Sequence, residues 1–285
     1  MLPAGDDLGR VRAYYDSTWF DYRALWLNTS NRAIHFGWWG PGIRTHAQSL
    51  VAMNQLMGEA ARVRPGDVVL DAGCGVGGTA MWLAEERGAS VVGITPVAGQ
   101  VERARRYADE RGLGERARFE EGDFRDVPLP DASVDVVWFQ ESLVHTAEKE
   151  RVFREAARVL RPGGRLVVAE YLRVGRPLEP RQEHLLDVWC RGWAMGDLAS
   201  GFELVAAAER AGLAGVGLRD LTAEMRRSLR RLFAMTTVLF PVALGLHLTG
   251  ARDDAAHGNV AGARAQWKAL RRGAWFYGLL TADKP

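Results

Sequence analysis

From Gly66 onward, short runs of β-branched and other apolar residues alternate with longer stretches in which apolar positions recur at helical spacing. DVVLDAG predicts a first strand and TAMWLAEER the helix after it; SVVGIT and AGQVERARRYADERG repeat the pair. ARFEEGD reads as a third strand. VDVVWFQES reads as a fourth, followed by the amphipathic EKERVFREAARVL, which RPGG stops before a fifth strand, RLVVAEY. This alternation predicts parallel strands joined by crossover helices, half of a doubly wound sheet. Ligands on such sheets sit outside the carboxyl ends of the strands.

Three segments flank this core. Residues 1–65 are aromatic-rich and helical in pattern, and are expected to form an N-terminal helical lid region. Residues 66–285 form the main domain, with helical cap insertions at about 175–213 and 222–272; VGLRDLT between them and the terminal GAWFYGLLTADK read as strands. The longest apolar run, Leu232 to Leu248, is just short of the ~18 residues of a spanning helix. It also contains Pro241, so a buried or pocket-lining helix is expected and no membrane span.

Composition narrows the function classes. A chain of 285 residues with 47% hydrophobic and 25% charged residues can bury a sizeable core as one large domain. A net charge of +2 is far from the basic footprint of a nucleic-acid binder. Cys74 and Cys190 supply neither a disulfide framework nor a metal-ligand spacing, and the N-terminus has no apolar secretory region, so a cytoplasmic setting is expected. Oligomeric state stays open.

The glycines of VVLDAGCGVGGTAMWLA, Gly73, Gly75 and Gly78, spell G-x-G-x-x-G, which alone suits a nicotinamide dinucleotide, a flavin or S-adenosylmethionine. A dinucleotide site needs an acid about twenty residues on, at the end of the second strand. Thr95 stands there instead, while acids occur at Asp71 before the turn and at Asp123 after the third strand. Those two fit a different ligand. The glycine turn and the helix after it would approach a methionine carboxylate, Asp71 would balance its ammonium, Asp123 would accept from an adenine amino group and Phe124 would pack on the purine.

VVLDAGCGVGGTA, VVGITPVAGQ, EEGDFRDVPLPDASVDVVWFQES and EAARVLRPGGRL, in that order over residues 66–172, resemble the successive motifs of class I S-adenosylmethionine-dependent methyltransferases. Within them the sequence is most similar to the branch of tocopherol, sterol side-chain and prenyl diphosphate C-methyltransferases. The resemblance implies a seven-stranded, doubly wound Rossmann-like sheet (fold class α/β) with the last strand antiparallel. It also implies Thr95 and Gln100 around the ribose, with Tyr15 and Gln140 completing the cofactor set. WFQESLVHTAEK and the aromatic lead-in AYYDSTWFDYRALWLNTSNRAIHFGWW resemble further segments of the same branch.

Methyl transfer from a sulfonium chiefly requires the nucleophile, methyl carbon and sulfur to be held in line. Glu141, just past the fourth strand, is the leading catalytic candidate, and the resemblance implies cation stabilisation or proton removal there; pairing with an arginine or capping of the next helix is the structural alternative. His145 would orient Glu141, act as base itself or cap the helix starting near Glu148. His35 is a further candidate base. Tyr22, Phe36, Glu170, Trp189 and Trp193 are candidate substrate contacts, aromatic faces being suited to a sulfonium or carbocation. The expected partner is a lipophilic small molecule, C-methylated on an isoprenoid or prenylated aromatic skeleton. O- or N-methylation of a secondary metabolite is the alternative, and a non-methylating cyclase or binding protein on the same fold is a third reading. Magnesium is expected only if the acceptor is a diphosphate, which the run RRSLRR (Arg226–Arg231) would bind if it is not simply a solvated helix face.

Overall fold

The computed structural model describes residues 7–26 and 31–285; residues 1–6 and 27–30 of the expected lid region lie outside the described residues. Strand β1 (Val68–Ala72) pairs in parallel with β2 (Ser90–Thr95) on one side and β4 (Val134–Gln140) on the other. β3 (Ala117–Glu121) lies beyond β2, and β5 (Leu160–Arg173) beyond β4. The seven-stranded order is β3-β2-β1-β4-β5-β7-β6, with β7 (Trp275–Asp283) antiparallel to both β5 and β6 (Ala214–Asp220). The chain steps outward from β1 to β3 and then returns to the other side of β1, so a crevice opens at the carboxyl ends of β1 and β4. Asp71 and the glycine turn leave β1 there, and Gln140 and Glu141 leave β4.

Side chains on a strand alternate between faces. Trp138 joins the core on one face with Met53, Met81 and Trp189, while Phe139 joins the opposite core with Phe153 and Leu166. Helices α2 (His46–Ala60), α3 (Gly78–Glu86), α4 (Ala98–Glu110) and α6 (Pro180–Gly192) contribute to the first core; α5 (Lys149–Val159) and α7 (Gly201–Arg210) contribute to the second. α2 and α7 start at capping boxes, Thr45 with Gln48 and Ser200 with Glu203, which satisfy otherwise orphaned amides.

Two expectations need correction. RPGG does not separate α5 from a later strand. α5 ends at Val159 and β5 begins at Leu160, with the register passing from Val134↔Leu160 to Val136↔Arg165 and Gly163 at φ +76° absorbing the irregularity. The apolar run from Leu232 belongs to a 27-residue helix, α8 (Thr222–Leu248), which passes through Pro241 without ending. α8 is not buried. One side packs on α9 (Asp254–Arg271), but Val238 (77% exposed) and Val242 (62%) face outward, because no described element covers that side. Its length and apolarity meet what a membrane-crossing helix needs.

Helix α1 (Asp7–Asp21) and a single π-helical turn (Tyr22–Trp26) run along the same carboxyl edge. α1 is tied to α9 and to the loop before it through Ser17 to Asp253, Tyr14 to Asn259 and Asp21 to Arg252. At its other side Arg12 donates to the Pro96 carbonyl and to Glu121, beyond the ends of β2 and β3.

Candidate active site

A cavity enclosing about 1600 Å³, including space open at its mouth, lies at the crevice. Its floor is the glycine turn. Gly73 and Gly75 sit at φ +96° and +54°, in the left-handed region that costs other L-residues about 1–2 kcal/mol. A Cβ on Gly75 would stand 2.8 Å from Ile34 Cδ1, and one on Gly78 would stand 2.6 Å from the Arg32 carbonyl. α3 starts with no side-chain cap on its Gly77 N-cap, so the amides of Gly78 and Thr79 are left for an anion.

Asp71 lines the cavity and is buried, and its Oδ2 has no hydrogen-bond partner. Burial pushes its carboxyl up to about 7, against a hydrogen bond from the Ala80 amide. An unpartnered, buried acceptor beside a turn that excludes side chains fits the ammonium and carboxylate of a methionine moiety. Thr95 and Gln100 both line the cavity, and the Thr95 hydroxyl donates to Gln100 Oε1 at 2.7 Å, leaving the amide NH₂ of Gln100 as a donor. Asp123 also lines it and is fixed by Arg125, whose backbone and Nε each reach it at 2.8 Å. Phe124 lies next to it, edge-on to Phe139. Gln140 faces the same space while accepting from Thr79 and the Trp138 indole.

Glu141 lines the cavity with its backbone at φ +55°, a conformation that costs a non-glycine residue about 1–3 kcal/mol. Its Oε1 accepts from the Phe36 amide and the Tyr277 hydroxyl, both at 2.8 Å, and its Oε2 accepts from Tyr171. Burial pushes its carboxyl up to about 7; the same three donors pull the other way. Glu141 is thus tied to tyrosines and an amide, not to an arginine.

The two histidines have defined tautomers. His145 Nδ1 lies 3.2 Å from the Ala194 carbonyl, which can only accept, so Nδ1 carries the proton and Nε2 is a bare lone pair. That lone pair accepts from the Tyr15 hydroxyl at 3.1 Å. His35 Nδ1 likewise donates to the Phe36 carbonyl at 2.9 Å, and its buried Nε2 has no partner. Burial lowers both to about 4, so both rings are neutral near pH 7. Tyr15, Tyr22, Phe36 and Trp193 line the apolar part of the cavity, with Phe36 and Trp193 stacked.

Two expected substrate contacts do not reach the cavity. Glu170 is turned beneath the Leu143–His145 turn, where it accepts from the Val144 and Tyr171 amides at 3.0 and 2.9 Å. Trp189 is fully buried against Tyr171 and Trp275. Conversely, Asp21 and Asn259 line the cavity although nothing in the sequence marked them, and Tyr14 of the aromatic lead-in lines it beside them.

A methyltransferase-domain family model matches residues 70–168. Methyltransferase GfsG of Streptomyces halstedii is 33% identical over 233 residues, 81% of this chain and 82% of that protein. The chain belongs to the S-adenosylmethionine-dependent methyltransferases. The 27-O-demethylrifamycin SV methyltransferase of Amycolatopsis mediterranei is 39% identical over 157 residues, covering 54% of this methyltransferase and 58% of that one. Among solved structures, the [4+2]-cyclase SpnF superposes with a TM-score of 0.76 at 26% identity, covering 96% of this chain and 95% of that one. The cofactor of this methyltransferase is S-adenosylmethionine.

Proposed function

We propose that this methyltransferase methylates a hydroxyl oxygen of a neutral, lipophilic small molecule, with His145 as the base and Tyr15 passing the proton. One observation carries the reading: His145 is held neutral by the Ala194 carbonyl, and its bare Nε2 already accepts from Tyr15 inside the cavity. The Tyr15 proton is committed to His145, so the phenol oxygen presents lone pairs to an incoming hydroxyl.

In the cofactor half of the cavity, Gly73, Gly75 and the start of α3 would hold the methionine carboxylate, Asp71 its ammonium, Thr95 and Gln100 the ribose, and Asp123 and Phe124 the adenine. Bound S-adenosylmethionine supplies a methyl carbon on a sulfonium, whose C–S bonding pair stays on sulfur as the C–O bond forms. The hydroxyl proton moves to the Tyr15 oxygen as the Tyr15 proton moves to His145 Nε2. His145 then carries the positive charge that was on sulfur, so the charge inside the cavity is relocated and not increased. That removes the main objection to a buried base.

A neutral acceptor is supported by the state of the cationic side chains. Arg125 is occupied by Asp123 and Glu148, and Arg32 lies over the Tyr107 ring. The RRSLRR run does not line the cavity: Arg227 stacks on Trp39, and Arg231 lies over Trp26. Each arginine lining it therefore already faces a carboxylate, Arg32 standing 3.9 Å from Glu110. The 27-O-demethylrifamycin SV methyltransferase, by its name, places its methyl on oxygen, which supports the same class of acceptor.

A second reading, C-methylation of an isoprenoid or prenylated aromatic, is favoured by Glu141: a buried carboxyl among Tyr171, Tyr277 and Phe36 suits a passing carbocation. Turnover with cofactor carrying carbon-13 in the methyl decides between them. We expect the labelled carbon of the product to have the chemical shift of a methoxy group; a C-bound methyl would transfer the assignment to Glu141.

Asp71 gives a pH-dependent test of the cofactor half. Its folded pKa is raised, so ionising it costs stability as pH climbs from the unfolded range near 4 through about 7. An ammonium partner removes that cost. The rise in Tm on saturating with S-adenosylhomocysteine should therefore be larger at pH 8 than at pH 5, as read by differential scanning calorimetry. An equal rise at both would detach Asp71 from the ammonium.

A further inference from the structure

At the edge of the cavity formed by α1, the turn after it and α9, the hydrogen bonds can run in one direction only. Arg252 forks onto both oxygens of Asp21, fixing it as a carboxylate that only accepts. Asn259 must therefore turn its NH₂ toward Asp21 Oδ2, 3.0 Å away, because the flipped amide would set oxygen against oxygen. Its Oδ1 is then the acceptor for the Tyr14 hydroxyl at 2.9 Å. With that proton spent, the 3.0 Å contact between Tyr14 and Tyr22 has Tyr22 as its donor. Tyr22 lines the cavity with its own proton spent, so its oxygen offers the cavity lone pairs alone.

We propose that Tyr22 is a specificity-determining residue that accepts a hydrogen bond from a second hydroxyl or N–H of the methyl acceptor. This deepens, and rests on, the reading of the substrate as a neutral lipophilic alcohol. The Tyr15 ring lies 6.0 Å from that of Tyr22, and its oxygen is also an acceptor, since its proton goes to His145. The two phenols thus form a pair that two donors on one molecule satisfy together. A ketone, an ether or a carboxylate at the second position would meet lone pairs with lone pairs, leaving buried acceptors opposed and unsatisfied. The selecting group is set by residues far away in sequence: Arg252 and Asn259 orient Tyr14, and Tyr14 orients Tyr22.

The test uses the full chain saturated with S-adenosylhomocysteine and follows binding by quenching of tryptophan fluorescence. The probes are linear dodecanediols differing in hydroxyl spacing, their monomethyl ethers, and dodecan-1-ol as the single-donor control. At least one diol should bind about five- to tenfold more tightly than dodecan-1-ol and its own ether, the range of one net hydrogen bond. Tyr22→Phe should erase that advantage, bringing the diol, its ether and dodecan-1-ol to the same affinity as one another. Asn259→Leu offers an independent check: it frees the Tyr14 proton, lets Tyr22 donate, and should admit the ethers that the wild type disfavours. A diol preference that survives Tyr22→Phe, or a wild type that does not distinguish diols from dodecan-1-ol, overturns the role of Tyr22. No binding by any probe overturns instead the neutral, lipophilic acceptor on which it rests.

Discussion

Asp71→Asn is expected to weaken S-adenosylhomocysteine binding by about 10²–10⁴-fold while leaving the cofactor-free protein at pH 8 at least as stable as the wild type. Two effects of opposite sign meet at this residue. Without cofactor, Asp71 is a buried acceptor whose Oδ2 has no partner, so burial holds its carboxyl up to about 7. Ionising it above that pH buries an unpaired charge, and asparagine avoids the cost. With cofactor, the same carboxylate faces the ammonium, and removing one member of a buried ion pair typically costs about 3–5 kcal/mol because the other is left uncompensated. Isothermal titration gives the affinity, and a Tm measured at pH 5 and pH 8 gives the stability. The variant should also lose the pH dependence of the ligand-induced Tm rise. Unchanged affinity would falsify the pairing; a large fall in Tm without ligand would make Asp71 a structural residue whose acceptor is satisfied within the fold.

The sheet and its glycine turn were legible in the sequence for a physical reason. Strands covered on both faces appear as near-continuous apolar runs, as VVLDA, SVVGIT and VDVVWFQ do, and the positive φ values at Gly73 and Gly75 favour glycine. Composition cannot tell where a side chain turns once its strand ends. Glu141 follows the apolar β4, and Glu170 lies inside the apolar β5, paired with Gly278. The reversed backbone at Glu141 brings it to the cavity, whereas Glu170 turns under a neighbouring loop to satisfy two amides. Periodicity likewise identifies the apolar positions of α8 but not which of them another element covers: Leu232 and Thr236 line the cavity, whereas Val238 and Val242 are exposed. The chain that orients Tyr22 had no local signal at all, since Tyr14 and Asn259 stand 245 positions apart.

His145→Ala is expected to lower kcat by about 10²–10⁴-fold, the usual contribution of a positioned general base, with little change in KM or in S-adenosylhomocysteine affinity. The separation of kcat from binding follows from the geometry. His145 touches Tyr15 and the Ala194 carbonyl, neither of which belongs to the glycine turn or to the Thr95–Gln100 pair. Tyr15→Phe should reproduce most of the loss, because it removes the oxygen through which the proton passes and leaves the imidazole in place. The pH profile supplies a readout that a packing role would not move. With His145 lowered to about 4 in the free enzyme, kcat/KM should be level above about pH 5 and fall below it as the ring takes up a proton. A base titrating with Glu141, pushed up to about 7, would place that fall near neutrality instead. A His145→Ala enzyme within tenfold of wild type, whose rate still falls near pH 7, would therefore remove the imidazole from the chemistry and leave the carboxylate between Tyr171 and Tyr277 as the group that responds to the reacting centre.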